Sequence, residues 1–345
     1  MVSSTIFFVM NDLLKKLLIL RTSGIGPVKY NALLGQYGDD TAILDTLKLS
    51  DEFIDSVKRE MDLAHELNIE YICDTDSRYP GKLKAIKNHP IVFSARGNID
   101  TLRKPSVAMV GTRHSTAAGM NFMSDLSETF VKHGYSVVSG MAMGIDTSAH
   151  VGALRISGDA QTVAVLAGGV DYVWPLENES LYYKILERGV VISEMPVGTT
   201  PMTQNFVQRN RWIAGMSDFL ILGEADAKSG SMTTARFALN YGRRVFAVPG
   251  HPNDARSVGP NSLIKSGEAT LCMSAKDFFD DENINADKKN IRPENEILDK
   301  LGTIPVSESV LANLVKKPVS EIKSTLVVFE LQGLVRRQDG GYVLN

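Results

Sequence analysis

The sequence predicts an α/β protein built on a doubly wound, Rossmann-like parallel sheet, flanked by an N-terminal helical domain and a C-terminal winged helix. Three observations predict it. Six short runs of Val, Ile and Leu recur between residues 106 and 250, continuous rather than alternating, as in strands buried on both faces. Helical stretches separate them, and between the first two runs Phe122, Leu126 and Phe130 recur every fourth residue as one apolar stripe. Strand–helix repetition of this kind implies right-handed crossovers and a mostly parallel sheet, whose ligands bind at the strands' carboxyl ends.

The elements follow in order along the 345 residues, a length that predicts two or three domains. Residues 1–66 read as a helical, SAM-like domain. Leu13, Leu14, Leu17 and Leu18 repeat at helical spacing, Gly24 and Gly26 turn the chain, and Pro27 suits a first helical turn ahead of Leu33 and Leu34. A Gly-x-Gly between two helices either exposes amides to a DNA phosphate, as in helix-hairpin-helix modules, or is a plain packing turn. Residues 67–279 form the extended Rossmann-like domain, with strands at SVAMVG (106–111), YSVVSG (135–140), TVAVLAG (162–168), GVVIS (189–193), DFLILG (218–223) and RVFAVPG (244–250). The polar stretch 280–290 reads as a linker. Residues 291–345 resemble a winged helix: helices around Ile297, Leu298 and Leu301, then Val310, Leu311 and Leu314, then Ile322, Leu326 and Phe329, followed by a hairpin turning at Asp339-Gly340.

The turns at the sheet's carboxyl edge are small, polar or basic. Gly111, Thr112 and Arg113 follow the first strand. Ser139, Gly140 and Gly144 follow the second, with Asp146 placed to cap the next helix. Gly168 and Gly169 follow the third. KSGS, with Ser229, Gly230 and Ser231, offers backbone donors to an anion before a helix that starts near Thr233. TQNFVQRNRWIAGMSD (203–218) adds Asn205, Phe206, Arg209, Asn210 and Arg211. Guanidiniums grip phosphate with paired donors, and an exposed phenylalanine stacks on an unpaired base. Arginines placed at a helix N-terminus oppose its macrodipole, which asks for a compensating anion.

Enzymatic templates fit less well. G-x-G-x-x-G after the first strand is missing, and no Walker A sequence occurs. His150, one turn after Asp146, reads as packed or capping, and His114 stands beside Arg113. Cys73 and Cys272 fit no metal or redox spacing and read as free thiols of a reducing compartment. Ile6 to Met10 is too short for a membrane span and lacks the basic flank of a signal peptide, so the expected location is cytoplasmic. Net charge is −3, so nucleic-acid binding would need a local basic patch. From Ile291 onward seven basic and seven acidic side chains cancel, which favours protein contact over duplex binding by the winged helix.

VGTRHSTAAG (110–119), VVSGMAMGIDTSAHVGAL (137–154), NFVQRNRWIAG (205–215) and EADAKSGSMTTARFALNYGRRVFAVPG (224–250) resemble, in order, the motifs of the DNA-processing protein A family, also called Smf. The likeness is close over about residues 68 to 272. It implies a single-stranded-DNA-binding protein that loads RecA recombinase during natural transformation, forms a homodimer through the Rossmann domain, and uses no catalysis, cofactor or metal. It also implies a DNA pocket lined by Gly111, Thr112, Arg113, Ser139, Gly140, Gly144, Asn205, Phe206, Arg209, Asn210, Arg211, Ser229, Gly230 and Ser231. Family members often carry a basic residue where this chain has Thr203 and Gln204, and another where it has Leu176; Lys184 and Lys265 could compensate. Two alternatives stay open: a nucleotide-cleaving enzyme of the lysine-decarboxylase-like Rossmann group, and a sensor of a small nucleotide.

Overall fold

A computed structural model describes residues 11–158, 161–279, 295–302, 305–331, 335–338 and 340–344. The chain divides into two compact units, Met1–Asp277 and Phe278–Asn345.

The first unit opens with four helices, α1 (Asp12–Arg21), α2 (Pro27–Tyr37), α3 (Asp40–Thr46) and α4 (Asp51–Glu66). Asn11, Asp39 and Ser50 start three of them by accepting an amide three residues on. Gly24, at φ +76°, turns the chain before α2, and Pro27 takes that helix's first position. Leu17, Leu18, Tyr30, Ile43 and Leu44 are buried between the helices. That core does not end at residue 66, because Ile91 and Val92 close it from the sheet side. A polar tie crosses the same boundary: Glu60 accepts from Arg21 at 2.8 Å and from the Tyr71 hydroxyl at 2.8 Å. The helices and the sheet are therefore one body.

The sheet has nine strands, β1 (Glu70–Cys73), β2 (Val92–Gly97), β3 (Ser106–Val110), β4 (Ser136–Ser139), β5 (Thr162–Val165), β6 (Val190–Ser193), β7 (Phe219–Leu222), β8 (Arg244–Ala247) and β9 (Thr270–Leu271). Their order is β1-β2-β6-β5-β4-β3-β7-β8-β9. All six sequence-predicted strands are the parallel centre, buried along nearly their whole length. Three strands were not foreseen: β1 and β2, which add an antiparallel edge, and the two-residue β9 at the other end. The chain lays β3 to β6 outward in one direction and then returns to set β7 on the other side of β3. That reversal opens a crevice beyond the carboxyl ends of β3 and β7, the usual ligand position of such sheets.

Helices α6 (Ala117–Lys132), α7 (Ile145–Ala153), α8 (Glu179–Arg188), α9 (Thr203–Met216), α10 (Gly230–Asn240) and α11 (Val258–Ser266) cover the two faces; a short α5 (Gly81–Lys84) precedes β2. Helices α6 and α7 cross closely because Gly152 is bare: a Cβ there would come under 3.0 Å of the Ser124 carbonyl. The Ser127 hydroxyl donates to Ala149 O at the same crossing. His150 is fully buried, and its Nδ1 lies 2.7 Å from Thr162 Oγ1, which itself donates to Val137 O. The ring therefore donates from Nδ1, and burial holds its pKa down at about 3. It is a packed histidine.

In the second unit, α12 (Glu308–Val315) and α13 (Val319–Leu331) pack Leu311, Ile322, Leu326 and Phe329 against a hairpin of β10 (Val335–Gln338) and β11 (Gly341–Leu344). The first expected helix is reduced to a 3-10 turn, Leu298–Lys300, among the described residues. Residues 280–290, read as a linker, and Asp339 lie outside them. Cys73 and Cys272 are free, and burial pushes their thiols up to about 11 and about 12.

Gly152→Ala should wedge α7 away from α6 and cost about 1–3 kcal/mol, read as a lowered urea midpoint at unchanged slope.

Candidate nucleic-acid interface

The turn after β3 is strapped in place by backbone bonds. Thr112 N donates to Glu224 O at 2.6 Å, and Ile145 N donates to Thr112 O at 3.2 Å. Arg113 is thereby presented at the rim of a cleft of about 600 Å³, whose lining includes Thr112, Trp174, Phe206, Asn210 and Ser229–Ser231. Helix α10 starts at Gly230, earlier than Thr233 as expected, and Ser229 caps it by accepting from Met232 N at 3.4 Å. Gly230 is uncrowded: an added Cβ would find Asn210 Nδ2 nearest, at 3.6 Å. A helix start of this kind, with hydroxyls and a bare backbone beside it, suits an anion.

The Arg113 guanidinium lies on aromatic rings. Its carbon is 5.1 Å from the ring centre of Trp174 and 5.3 Å from that of Phe206. The two rings meet edge to face with centres 4.9 Å apart and planes at 61°. Among the described residues Arg113 has no ion-pair partner, and His114 lines the cleft beside it. One cation and two aromatic rings therefore face an open cleft together.

The other two arginines are committed to the protein. Arg209 is buried, and its Nη1 donates to Gly140 O and, at 2.7 Å, to Val165 O. The Asp146 carboxylate, also buried, accepts from Gly140 N at 3.1 Å and from Ala142 N at 3.4 Å, so it braces the turn before α7. Burial pushes the Asp146 carboxyl up, against the pull of the Arg209 charge. Burial also lowers Arg209 to about 10, with Asp146 opposing and Arg113 assisting. Arg211 donates to Asn88 O at 3.1 Å and to Glu194 at 3.4 Å, away from the cleft. Both arginines lie past the first turn of α9, so the expected conflict with the macrodipole does not arise.

Several further expectations need the same correction. A Cβ at Gly140 would strike the Arg209 guanidinium, at Gly144 the carbonyls of Thr112 and Arg113, and at Gly111 the Ile145 side chain. The room those glycines leave is filled by the protein, not held open for a ligand. Ser139 is fully buried and donates to Met109 O at 2.7 Å. Asn205 is buried and faces a small void with Glu194, Gln208 and Trp212. Lys184 and Lys265 are exposed but line no part of the cleft. The structure thus brings together Thr112, Arg113, Phe206, Asn210, Ser229, Gly230 and Ser231 at the surface, with Gly111 and Arg209 in the wall behind them.

Sequence reasoning missed two residues. Trp174 lies in the loop after β5, and a large ring in an exposed turn before Pro175 was a legible signal. Glu224 follows β7 after Gly223. Its carboxylate accepts from Thr116 N at 2.7 Å and from the Thr116 hydroxyl, while Thr116 Oγ1 accepts from Gly119 N at 2.9 Å. That is the start of α6, where a dinucleotide-binding fold seats a phosphate. Here the protein's own carboxylate sits there.

Residues 70–283 match the family described as DNA recombination-mediator protein A, and residues 288–341 match the DprA winged helix domain. The chain belongs to the DprA family. It is 36% identical to DNA processing protein DprA of Bacillus subtilis over 67% of this chain and 77% of that protein. It is 33% identical to Smf of Escherichia coli over 77% and 74%, and 35% identical to Smf of Synechocystis over 69% of this chain and 56% of that protein. Among solved structures, DprA of Streptococcus pneumoniae superposes with a TM-score of 0.67 at 31% identity, covering 78% of this chain and 98% of that one. DNA processing protein A of Helicobacter pylori, solved for its single-stranded DNA binding mode, gives 0.57 at 28% identity, covering 63% and 97%. Among the described residues of this DprA family member, no helix is long and apolar enough to cross a membrane, and no group of side chains could hold a metal ion.

Arg209→Met would strand the Asp146 carboxylate and two buried carbonyls. It should destabilise the fold by roughly 3–5 kcal/mol in urea titrations, with part of the loss recovered by adding Asp146→Asn.

Proposed function

We propose that the chain binds single-stranded DNA in this cleft, without catalytic chemistry, and passes the strand to the RecA recombinase during recombination and natural transformation. The observation that carries the first part is Arg113, at the cleft rim with no ion-pair partner among the described residues and resting on Trp174 and Phe206. A guanidinium meets phosphate, and aromatic rings meet unpaired bases irrespective of their identity. The start of α10 at Ser229–Ser231 adds amide and hydroxyl donors along the backbone path. The H. pylori relative's single-stranded DNA binding mode supports the same choice of ligand. Transfer to RecA, homodimerisation through the Rossmann domain and action in the cytoplasm rest on family membership and the motif resemblance.

The alternatives are weaker on specific grounds. A small-nucleotide sensor would place its phosphate at the start of α6, where Glu224 already sits. A nucleotide-cleaving enzyme of the lysine-decarboxylase-like group would need an acidic residue on the helix after the glycine turn; α10 reads GSMTTARFALN and has none.

Titration with a thymidine oligomer, a duplex of the same length and thymidine monophosphate tests the reading. The oligomer should bind tightest, and preference for the duplex or the monophosphate would overturn it. With the oligomer, Arg113→Ala should flatten the dependence of log affinity on log salt by about 0.7, the loss of one phosphate contact. Phe206→Ala should weaken binding by about 1–3 kcal/mol at an unchanged melting temperature; a matching loss of fold stability would assign the ring to the core instead.

A further inference from the structure

We propose that Trp174 is a second base-stacking subsite: one unpaired base lies on Trp174, its neighbour lies on Phe206, and Arg113 holds the phosphodiester that joins them. The proposal rests on the reading of the cleft as a single-strand site and specifies how that site tells a single strand from a duplex.

The geometry of the two rings carries it. Their planes stand 61° apart with centres at 4.9 Å, so they cannot clasp one base between them and cannot both lie along one regular base stack. Bases in a duplex are parallel. A ligand that covers both rings must splay two successive bases, and only an unpaired strand can do that without breaking pairs. Arg113 is almost equidistant from the two ring centres, at 5.1 Å and 5.3 Å, which puts its charge at the junction where the linking phosphate of two splayed nucleotides must pass.

The surroundings agree in polarity. The turns after β4, β5 and β6 and the first part of α9 expose Met143, Tyr172, Leu176, Met202 and Val207, with Leu176 at 73% exposure. These apolar groups lie in the segments that border Trp174 and Phe206. A tryptophan serving only as core would be enclosed, as Trp212 is at 1% exposure; Trp174 is only partly buried and touches a cation and a ring of the same cleft.

The test compares two probes on the full chain: a thymidine oligomer, and an abasic deoxyribose-phosphate oligomer of equal length. Trp174→Ala should weaken oligomer binding about tenfold while leaving the abasic probe within about twofold, and Trp174→Phe should restore most of the loss. The chain holds two tryptophans, one of them buried, so saturation with the thymidine oligomer should quench emission from Trp174. The abasic probe should not, and Trp174→Phe should abolish the signal. An equal loss on both probes, or no loss on either, overturns the subsite; if Trp174→Ala fails to fold, an unquenched wild type overturns it. Failure of the wild-type protein to prefer the thymidine oligomer over its duplex would instead sink the single-strand reading itself.

Discussion

A guanidinium removed from water holds the carboxyl edge of the sheet together. Arg209 reaches from α9 to the carbonyls of Gly140 and Val165, so one side chain fixes a helix to the ends of two neighbouring strands. Such burial is tolerated because its donors are used and Asp146 supplies a compensating charge. Gly140 must be bare for the guanidinium to fit. Once α9 is anchored in this way, Phe206 and Asn210, one residue group either side of the anchor, are held at the cleft. The cleft is therefore positioned by a charge that takes no direct part in its open surface.

The basic residues that looked alike in the sequence divide their labour by burial. Arg211 serves the contact with Glu194 and Asn88, Arg209 serves the sheet edge, and Arg113 alone of the three has no ion-pair partner among the described residues. With a net charge of −3, the whole-molecule field does not attract a polyanion. Attraction must come from a focused local arrangement, in which one uncommitted cation over aromatic faces counts for more than several neutralised ones.

How much of this was legible follows from what each signal encodes. The six central strands were readable because strands covered on both faces leave continuous apolar runs. β1 and β9 were not, since edge strands are only half covered and β9 is two residues long, while in β2 Ser94 and Arg96 interrupt the apolar run. Arg209 and Arg211 were placed too near a helix start because Met202, at the N-cap of α9, has no side-chain cap to mark the boundary. Glycines announce that something approaches closely, but not what: Ile145, Arg209 and backbone carbonyls fill places that a ligand might equally have filled. Arg113 was found because an arginine in a glycine turn has few structural uses, and Phe206 because it stands among polar residues at the start of a helix. Trp174 left a signal in its turn, but its pairing with Phe206 and Arg113 is a contact across the fold that sequence order does not show.

Glu224 at the start of α6 occupies the place where a soluble phosphate ester would otherwise dock. A carboxylate tethered to its seat acts at a high effective concentration that dilution cannot reduce. A soluble phosphate ester would have to evict it. The fold has thus filled with its own side chain the seat that a dinucleotide-binding sheet leaves for a cofactor's phosphate.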